Sequence, residues 1–231
     1  MDTAKDARVL VLEDALRRLN EIVGNRKLKM HIEYGKLNEI LKKAGSFLYE
    51  VKYAYQDSKS LASLEATEKL VSSIADFAQL YRTALTSGYK PSTVKEQVAQ
   101  AEVVYSLRVV ESFQKKLRNF DEEPAFAVDI LAVEVSQLAP VKDSTNLTEC
   151  RCTDGIRIWK IITNISGIKE GTKLACAVLP PVEMMNVLSE AMFLGGTPLP
   201  DDTPLGPLTN PPSSALDQAR AQVLHITKRM T

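Results

Sequence analysis

The sequence predicts an α+β protein: an N-terminal antiparallel helical bundle, then a five-stranded β-barrel, then a C-terminal helix. Three observations carry this. Apolar residues recur at helical spacing as far as Phe120 and at strand-like spacing from Phe126 onward. The stretch between them, Asp121-Glu122-Glu123-Pro124, has no apolar face and holds a proline, which marks a boundary. Six prolines then crowd Thr197 to Pro212, where regular structure gives way to a loop or tether. The expected pieces are residues 1–120, 125–196 and 197–231.

In the first piece Val9, Leu12, Leu16, Leu19 and Val23 form a stripe that stops at Gly24-Asn25. A second stripe, Leu28, Ile32, Leu37, Leu41, Ala44, Leu48, Val51 and Tyr55, implies a long helix, weakened locally by Gly35 and Gly45. Asp57 or Ser58 can cap a third helix carrying Leu64, Val71, Ile74, Phe77, Ala78, Tyr81 and Leu85, with Gly88 beyond its end. Tyr89-Lys90-Pro91 turns the chain. Thr93 with Glu96 makes a capping box for a fourth helix, buried through Val94, Val98, Ala101, Tyr105, Val109 and Leu117. Four helices with short connections predict an antiparallel bundle.

Past the boundary, Phe126 to Leu138 alternates loosely and is rich in Val and Ile. Leu147 to Thr153 leads into Asp154-Gly155, a dipeptide suited to a two-residue hairpin because its backbone tolerates positive φ. Ile158 to Thr163 and Leu174 to Leu179 are apolar runs separated by a turn-rich stretch in which Gly167 and Gly171 bracket a Lys-Glu pair. About five short strands in roughly 70 residues predict a small closed barrel. Ser213 or Ser214 can cap a last helix with Leu216, Ala219, Val223, Leu224 and Ile226 on its apolar side, ending in Lys228-Arg229.

Composition narrows the function classes. With 231 residues, 45% apolar and 25% charged, the chain can bury a sizeable core. No run approaches the ~20 apolar residues of a membrane span, and Met1 to Arg8 is charged where a secretion signal would be apolar. A cytoplasmic protein with no membrane partner is expected. Cys150, Cys152 and Cys176 have neither metal-binding nor redox spacing and read as small buried apolar side chains. There is no nucleophile elbow, no phosphate-cradling glycine loop and no metal-spaced histidine pair. His31 stands alone inside a helical stripe and His225 alone on the terminal helix, and Glu122-Glu123 and Asp201-Asp202 are adjacent on loops, with no need to face one another as an acid-base pair must. The chain is therefore expected to be non-enzymatic, with no cofactor.

Pro140 and Leu147, the turn Ile168-Lys169-Glu170-Gly171 and the stretch from Ala177 to Met192 carry a resemblance. Residues 126–195 resemble the tRNA-binding domain family. That family is the oligonucleotide-binding-fold (OB-fold) module of free-standing tRNA-binding proteins, of the methionyl-tRNA synthetase C-terminus and of the endothelial-monocyte-activating polypeptide. The family reads A-N-L-K-P-R-K, an apolar pair, Gly, and after two residues S-Q-G-M. This chain keeps Ala177, Leu179, Pro181, Ser189 and Met192. It has Pro180, Val182 and Glu183 at the family's cations, Asn186 and Ala191 at its glycines, and Asn146 at a first-loop lysine. The resemblance implies an OB-fold barrel and non-catalytic binding of tRNA or other structured RNA in translation, with an aminoacyl-tRNA synthetase or other translation protein as partner. The alternative is a protein-interaction or dimerisation module that keeps the fold and has exchanged its RNA surface for a protein one. Material after the barrel often mediates dimerisation in this family, which admits a homodimer: the last helix packs either on its own barrel or on another subunit.

RNA binding calls for cations beside stacking aromatics. The barrel's candidates are Arg157, Trp159, Lys160, Lys169, Lys173 and Ser189, with Trp159 either filling the core or stacking a base. Residues 1–120 carry 20 Lys and Arg against 15 Asp and Glu, net +5, and residues 121–231 carry 9 against 14, net −5. The helical part holds Arg17-Arg18, Arg26-Lys27-x-Lys29, Lys42-Lys43 and Lys115-Lys116-x-Arg118. These clusters are either a solvated face or, with Arg17, Arg18, Arg26 and Lys27 foremost, an RNA-facing surface replacing the barrel's missing cations.

Overall fold

A computed structural model describes residues 1–228, so Arg229 lies outside the described residues. The chain forms two compact units, residues 1–127 together with the chain from Val223 onward, and residues 128–222.

The first unit is helical. Helix α1 (Ala7–Gly24) begins where the Asp6 carboxylate accepts from the Arg8 amide at 2.9 Å. It ends in a Schellman turn: Arg26 sits at φ 48, its amide donating to Val23 O and the Lys27 amide to Ile22 O. Helix α2 (Tyr34–Lys52) is shorter than its apolar stripe predicts. Leu28 and Met30 are buried while Lys29 and His31 are exposed, the period-two alternation of extended chain, so Leu28 and Ile32 belong to a connection. At the other end Tyr55 lies beyond the helix at φ 52.

The predicted third helix is two, α3 (Ser58–Ala62) and α4 (Glu65–Leu85). Asp57 caps α3 by accepting from the amides of Lys59 and Ser60, each at 3.0 Å. The buried Thr67 hydroxyl donates to Leu61 O at 2.7 Å, taking up a carbonyl that a continuous helix would have bonded internally. Helix α5 (Val94–Asn119) starts at Thr93, whose hydroxyl accepts from the Glu96 amide at 3.2 Å. The Glu96 carboxylate reaches the Ser92 amide at 2.7 Å, one residue short of the reciprocal partner a capping box predicts. Its buried face runs through Val103, Leu107, Val110, Phe113 and Leu117, leaving Val94, Val98 and Ala101 half-buried. Helix α1 packs on α2 and α5, and α4 packs on the same two, around a core that includes Leu12, Leu19, Leu37, Leu70, Phe77 and Phe113. The buried Arg8 pairs with Asp6 at 2.7 Å and donates to the carbonyls of Phe120 and Asp121, each at 3.1 Å. One side chain thus ties the start of α1 to the end of α5.

A 3-10 turn at Pro124–Ala127 delays the first strand, and Phe126 stacks on Phe120 with centroids 4.5 Å apart instead of opening the sheet. The strands of the second unit are β1 (Asp129–Pro140), β2 (Thr148–Thr153), β3 (Ile158–Thr163), β4 (Lys173–Met184) and β5 (Val187–Phe193). They pair antiparallel in the order β3-β2-β1-β4-β5. Successive antiparallel pairing makes β3 and β5 run in the same sense as β1, and these two end strands lie side by side.

No ladder joins β3 to β5 among the described residues, so the barrel is open where a closed one was expected. Side chains span the seam. The Ser189 hydroxyl accepts from the Ile162 amide at 3.0 Å, and the Glu190 carboxylate accepts from the Lys160 amide at 3.3 Å. The register of β4 against β5 shifts between Val178 and Val182, where Pro180 and Pro181 have no amide hydrogen to give a ladder. The β2–β3 turn also differs from expectation. Asp154 stands before the central pair, its amide donating to Arg157 O, and Gly155, at φ 87, is followed by Ile156 as the second central residue. Trp159, Cys150, Cys152, Ile161, Leu174 and Cys176 fill the interior, all at most 2% exposed.

The proline-rich stretch is pinned. Lys173 Nζ donates to the carbonyls of Asp201 and Thr203, and β6 (Gly206–Pro207) pairs with β1. Helix α6 (Ser213–Thr227) buries Ala215, Ala219, Val223 and Ile226, with Leu216 half-buried and Leu224 exposed. Among the described residues no helix is long and apolar enough to cross a membrane.

Candidate nucleic-acid interface

Strand β2 alternates strictly. Cys150 and Cys152 are fully buried and Arg151 between them faces out, because successive side chains leave a strand on opposite faces. Burial pushes the Cys150 thiol up to about 11 and that of Cys152 to about 12, so both are neutral at physiological pH and neither is a nucleophile or metal ligand in waiting. Across the ladders Gln137 on β1 opposes Arg151, and Arg151 opposes Lys160 on β3. These three form one row on the outer face of β1, β2 and β3. The Arg151 side chain is 53% exposed and its contact to Glu149 is a 3.7 Å surface pair, which screening weakens readily. At the ends of β1 and β2 the loop between them exposes Lys142, Asp143 and Asn146.

This is the face, and this the loop, with which OB folds hold oligonucleotides. Two cations and an amide in line can neutralise phosphates and donate to base edges. They supply no acid-base pair. Arg151 is absent from the residues singled out by sequence, although the pattern Cys150-Arg151-Cys152 itself signals an outward cation between two inward thiols.

The other barrel candidates are committed elsewhere. Trp159 is 2% exposed and its indole N–H donates to Asp154 at 2.9 Å, so its ring fills the core and cannot stack a base. Arg157 covers that ring at 3.9 Å from the centroid and pairs with Glu190 at 2.6 Å. Ser189 is buried in the β3–β5 seam, Lys173 holds the proline-rich stretch, and Lys169 stands exposed on the turn before β4. The β4–β5 hairpin, where the tRNA-binding family carries cations, ends in exposed Val182, Met184 and Met185, with Met185 and Asn186 both at positive φ.

In the helical unit two of the four cations foremost in the sequence, Arg17 and Arg18, are neutralised. The buried Asp14 carboxylate takes both Arg17 and Arg18 at 2.6 Å, Arg17 also pairs with Glu21, and Arg18 pairs with Glu102 at 2.9 Å. Three acids surround two cations. Burial opposes the charge on Arg17, but the Asp14 and Glu21 pairs outweigh it and hold its pKa above the ordinary value. Arg26 lies over Tyr34 at 5.8 Å and Lys27 is exposed, both in the turn after α1 and about two helical turns from Arg17 and Arg18. Lys116 is buried and donates to Ala127 O at 3.0 Å. Arg17, Arg18 and Lys116 are thus committed within the helical unit, while Arg26 and Lys27 stand exposed in the turn.

No group of His, Cys, Asp and Glu among the described residues is placed to hold a metal ion. Residues 1–119 match the family model described as an alpha helical domain. No curated protein matches the chain.

Proposed function

We propose an RNA-binding function from one premise: the chain belongs to the alpha helical domain family, whose description names an architecture and no activity, so function is sought in the sheet unit. The reading is non-catalytic binding of tRNA or another structured RNA within translation. The observation that supports it is the strand order β3-β2-β1-β4-β5 with β3 beside β5, formed by the residues that resemble the tRNA-binding family. That order presents the row Gln137, Arg151 and Lys160 on the oligonucleotide-binding face. Arg151 and Lys160 neutralise phosphates and Gln137 donates to sugar or base. Recognition follows backbone shape, since Trp159 is withdrawn into the core. With few cations, binding is weak at physiological salt and steepens as salt is lowered.

The test is tRNA binding by the intact chain across a salt series. Replacing Arg151 and Lys160 by Ala is expected to flatten the plot of log affinity against log salt by about 1.4–1.8, two phosphate contacts at ~0.7–0.9 each. An unchanged slope removes the β1–β3 face from RNA binding. A second reading rests on the apolar hairpin tip, which suits a translation protein as partner. Serine at Val182, Met184 and Met185 is expected to abolish that association while leaving tRNA affinity as it was; lost tRNA affinity would place the RNA on the hairpin instead.

A further inference from the structure

Helix α2 turns one face away from the bundle. Lys42, Ser46, Tyr49 and Tyr53 follow one another at helical spacing and all are exposed. Tyr49 is 68% exposed, Tyr53 44% and Tyr55, just past the helix, 62%. The rings of Tyr49 and Tyr53 meet with centroids 4.8 Å apart, and none of the three hydroxyls bonds to another group among the described residues. Tyr55 stands at φ 52, a backbone region in which bulky side chains are rare. That conformation is held from within. The fully buried Thr3 hydroxyl accepts from the Tyr55 amide at 3.1 Å and donates to Lys52 O at 2.8 Å. Strain maintained by a buried clamp, with the result of setting an aromatic ring in solvent, points to a use for that ring.

We infer that this face is a stacking platform for single-stranded RNA, on which Tyr49, Tyr53 and Tyr55 receive bases and Lys42 and Lys43 meet the phosphates. The inference rests on the RNA-binding reading above and adds a second, separate contact surface. Bases stack on any aromatic face, and a backbone track of cations beside the rings completes the requirement. Lys42 and Lys43 are exposed and take part in no ion pair among the described residues, in contrast to Arg17 and Arg18. Glu39 and Glu50 flank the stripe and limit its charge. Lys42 and Lys43, exposed and free of ion pairs among the described residues, complement a phosphate backbone, the occupant this face suits.

The experiment titrates a fluorescent oligouridylate of about ten nucleotides with the intact chain. Changing Tyr49 and Tyr53 together to Ala is expected to weaken binding at least tenfold with the salt slope unchanged, and Phe at both to restore it. Changing Lys42 and Lys43 to Ser is expected to flatten the slope by about 1.4, at ~0.7 per single-strand contact. Full affinity in the Tyr49/Tyr53 alanine variant overturns the inference, and if the Arg151/Lys160 variant has meanwhile lost binding, the sheet reading stands without it. Loss on α2 with no effect of Arg151 and Lys160 leaves the platform and removes the sheet face. No binding of oligouridylate or tRNA by the parent rejects both. If the tyrosine change instead converts a dimer to a monomer in sedimentation and spares RNA, the face belongs to a second copy and the inference fails.

Discussion

The Asp154 carboxylate, 5% exposed, accepts from the indole of Trp159 at 2.9 Å and from the amides of Ile156 and Arg157 at 2.9 and 2.8 Å. Removing it leaves a buried indole N–H without this acceptor, so Asp154→Ala is expected to cost on the order of 2–3 kcal/mol and Asp154→Asn less. Urea unfolding followed by Trp159, the only tryptophan, measures it. An effect below the scatter of surface substitutions would show that the turn holds without the carboxylate. The buried thiols give a second residue-scale outcome. Burial keeps Cys150 and Cys152 protonated well above pH 8, so alkylation of the native protein at that pH is expected to be slow and to become rapid in denaturant. Mass spectrometry of the labelled peptides decides, and rapid native labelling would place the strand edge in solvent. Trp159 on a strand was legible from its apolar run, and the thiols as small buried groups from their lack of metal or redox spacing. The indole's partner was not, because a carboxylate in a turn can point anywhere until the turn has folded.

Helix α5 depends on its N-terminal turn. Bonds from the Ser92 amide, then from the Tyr89 and Ser92 hydroxyls, hold the Glu96 carboxyl below its ordinary value of 4.5. A depressed folded-state pKa means that the contribution is complete above pH 4.5 and is lost as pH falls through the folded value. Protection factors for amide exchange at the first turn of α5 are therefore expected to fall below that pH before those of the rest of the helix, and Thr93→Ala to cost about 1 kcal/mol at any pH. Uniform exchange along α5 on acidification would deny the cap this role. The β4–β5 hairpin carries a different strain. Met185 occupies the first central position of a turn with φ 50, where Asn or Gly is at ease, so Met185→Asn is expected to raise stability by about 0.5–1 kcal/mol in thermal unfolding. The hairpin itself was visible in the sequence as strand, loop and strand. What the alternation could not show is that Pro180 and Pro181 shift the ladder there, since register depends on the partner strand.

At the scale of the whole chain, two units with separate cores carry opposite charge, +4 over residues 1–127 with 223–231 (22 Lys and Arg, 18 Asp and Glu) and −4 over residues 128–222 (7 against 11). Trp159 reports on the sheet unit alone, while the far-ultraviolet signal is dominated by helices of the other unit. In Asp154→Ala the fluorescence transition is expected to move to lower denaturant while the helical signal keeps its midpoint. Coincident shifts in both signals would mean one cooperative unit. Hydrophobic period settled the class of each half and most helix ends from the residues alone, because burial of one face imposes 3.6 or 2 whatever the neighbours are. Caps such as Asp57 and Thr93 were legible for the same local reason. Four features waited for tertiary structure. The break at Ser63 and Leu64 and the extended run from Leu28 to Ile32 preserve an apolar spacing that fits a helix, so only packing distinguishes them. Whether a cation is free depends on acids far along the chain, as Glu102 is from Arg18. The open seam between β3 and β5 arises because Ser189 and Glu190 side chains meet β3 amides, a choice between side chain and backbone that is made only when strands distant in sequence come together.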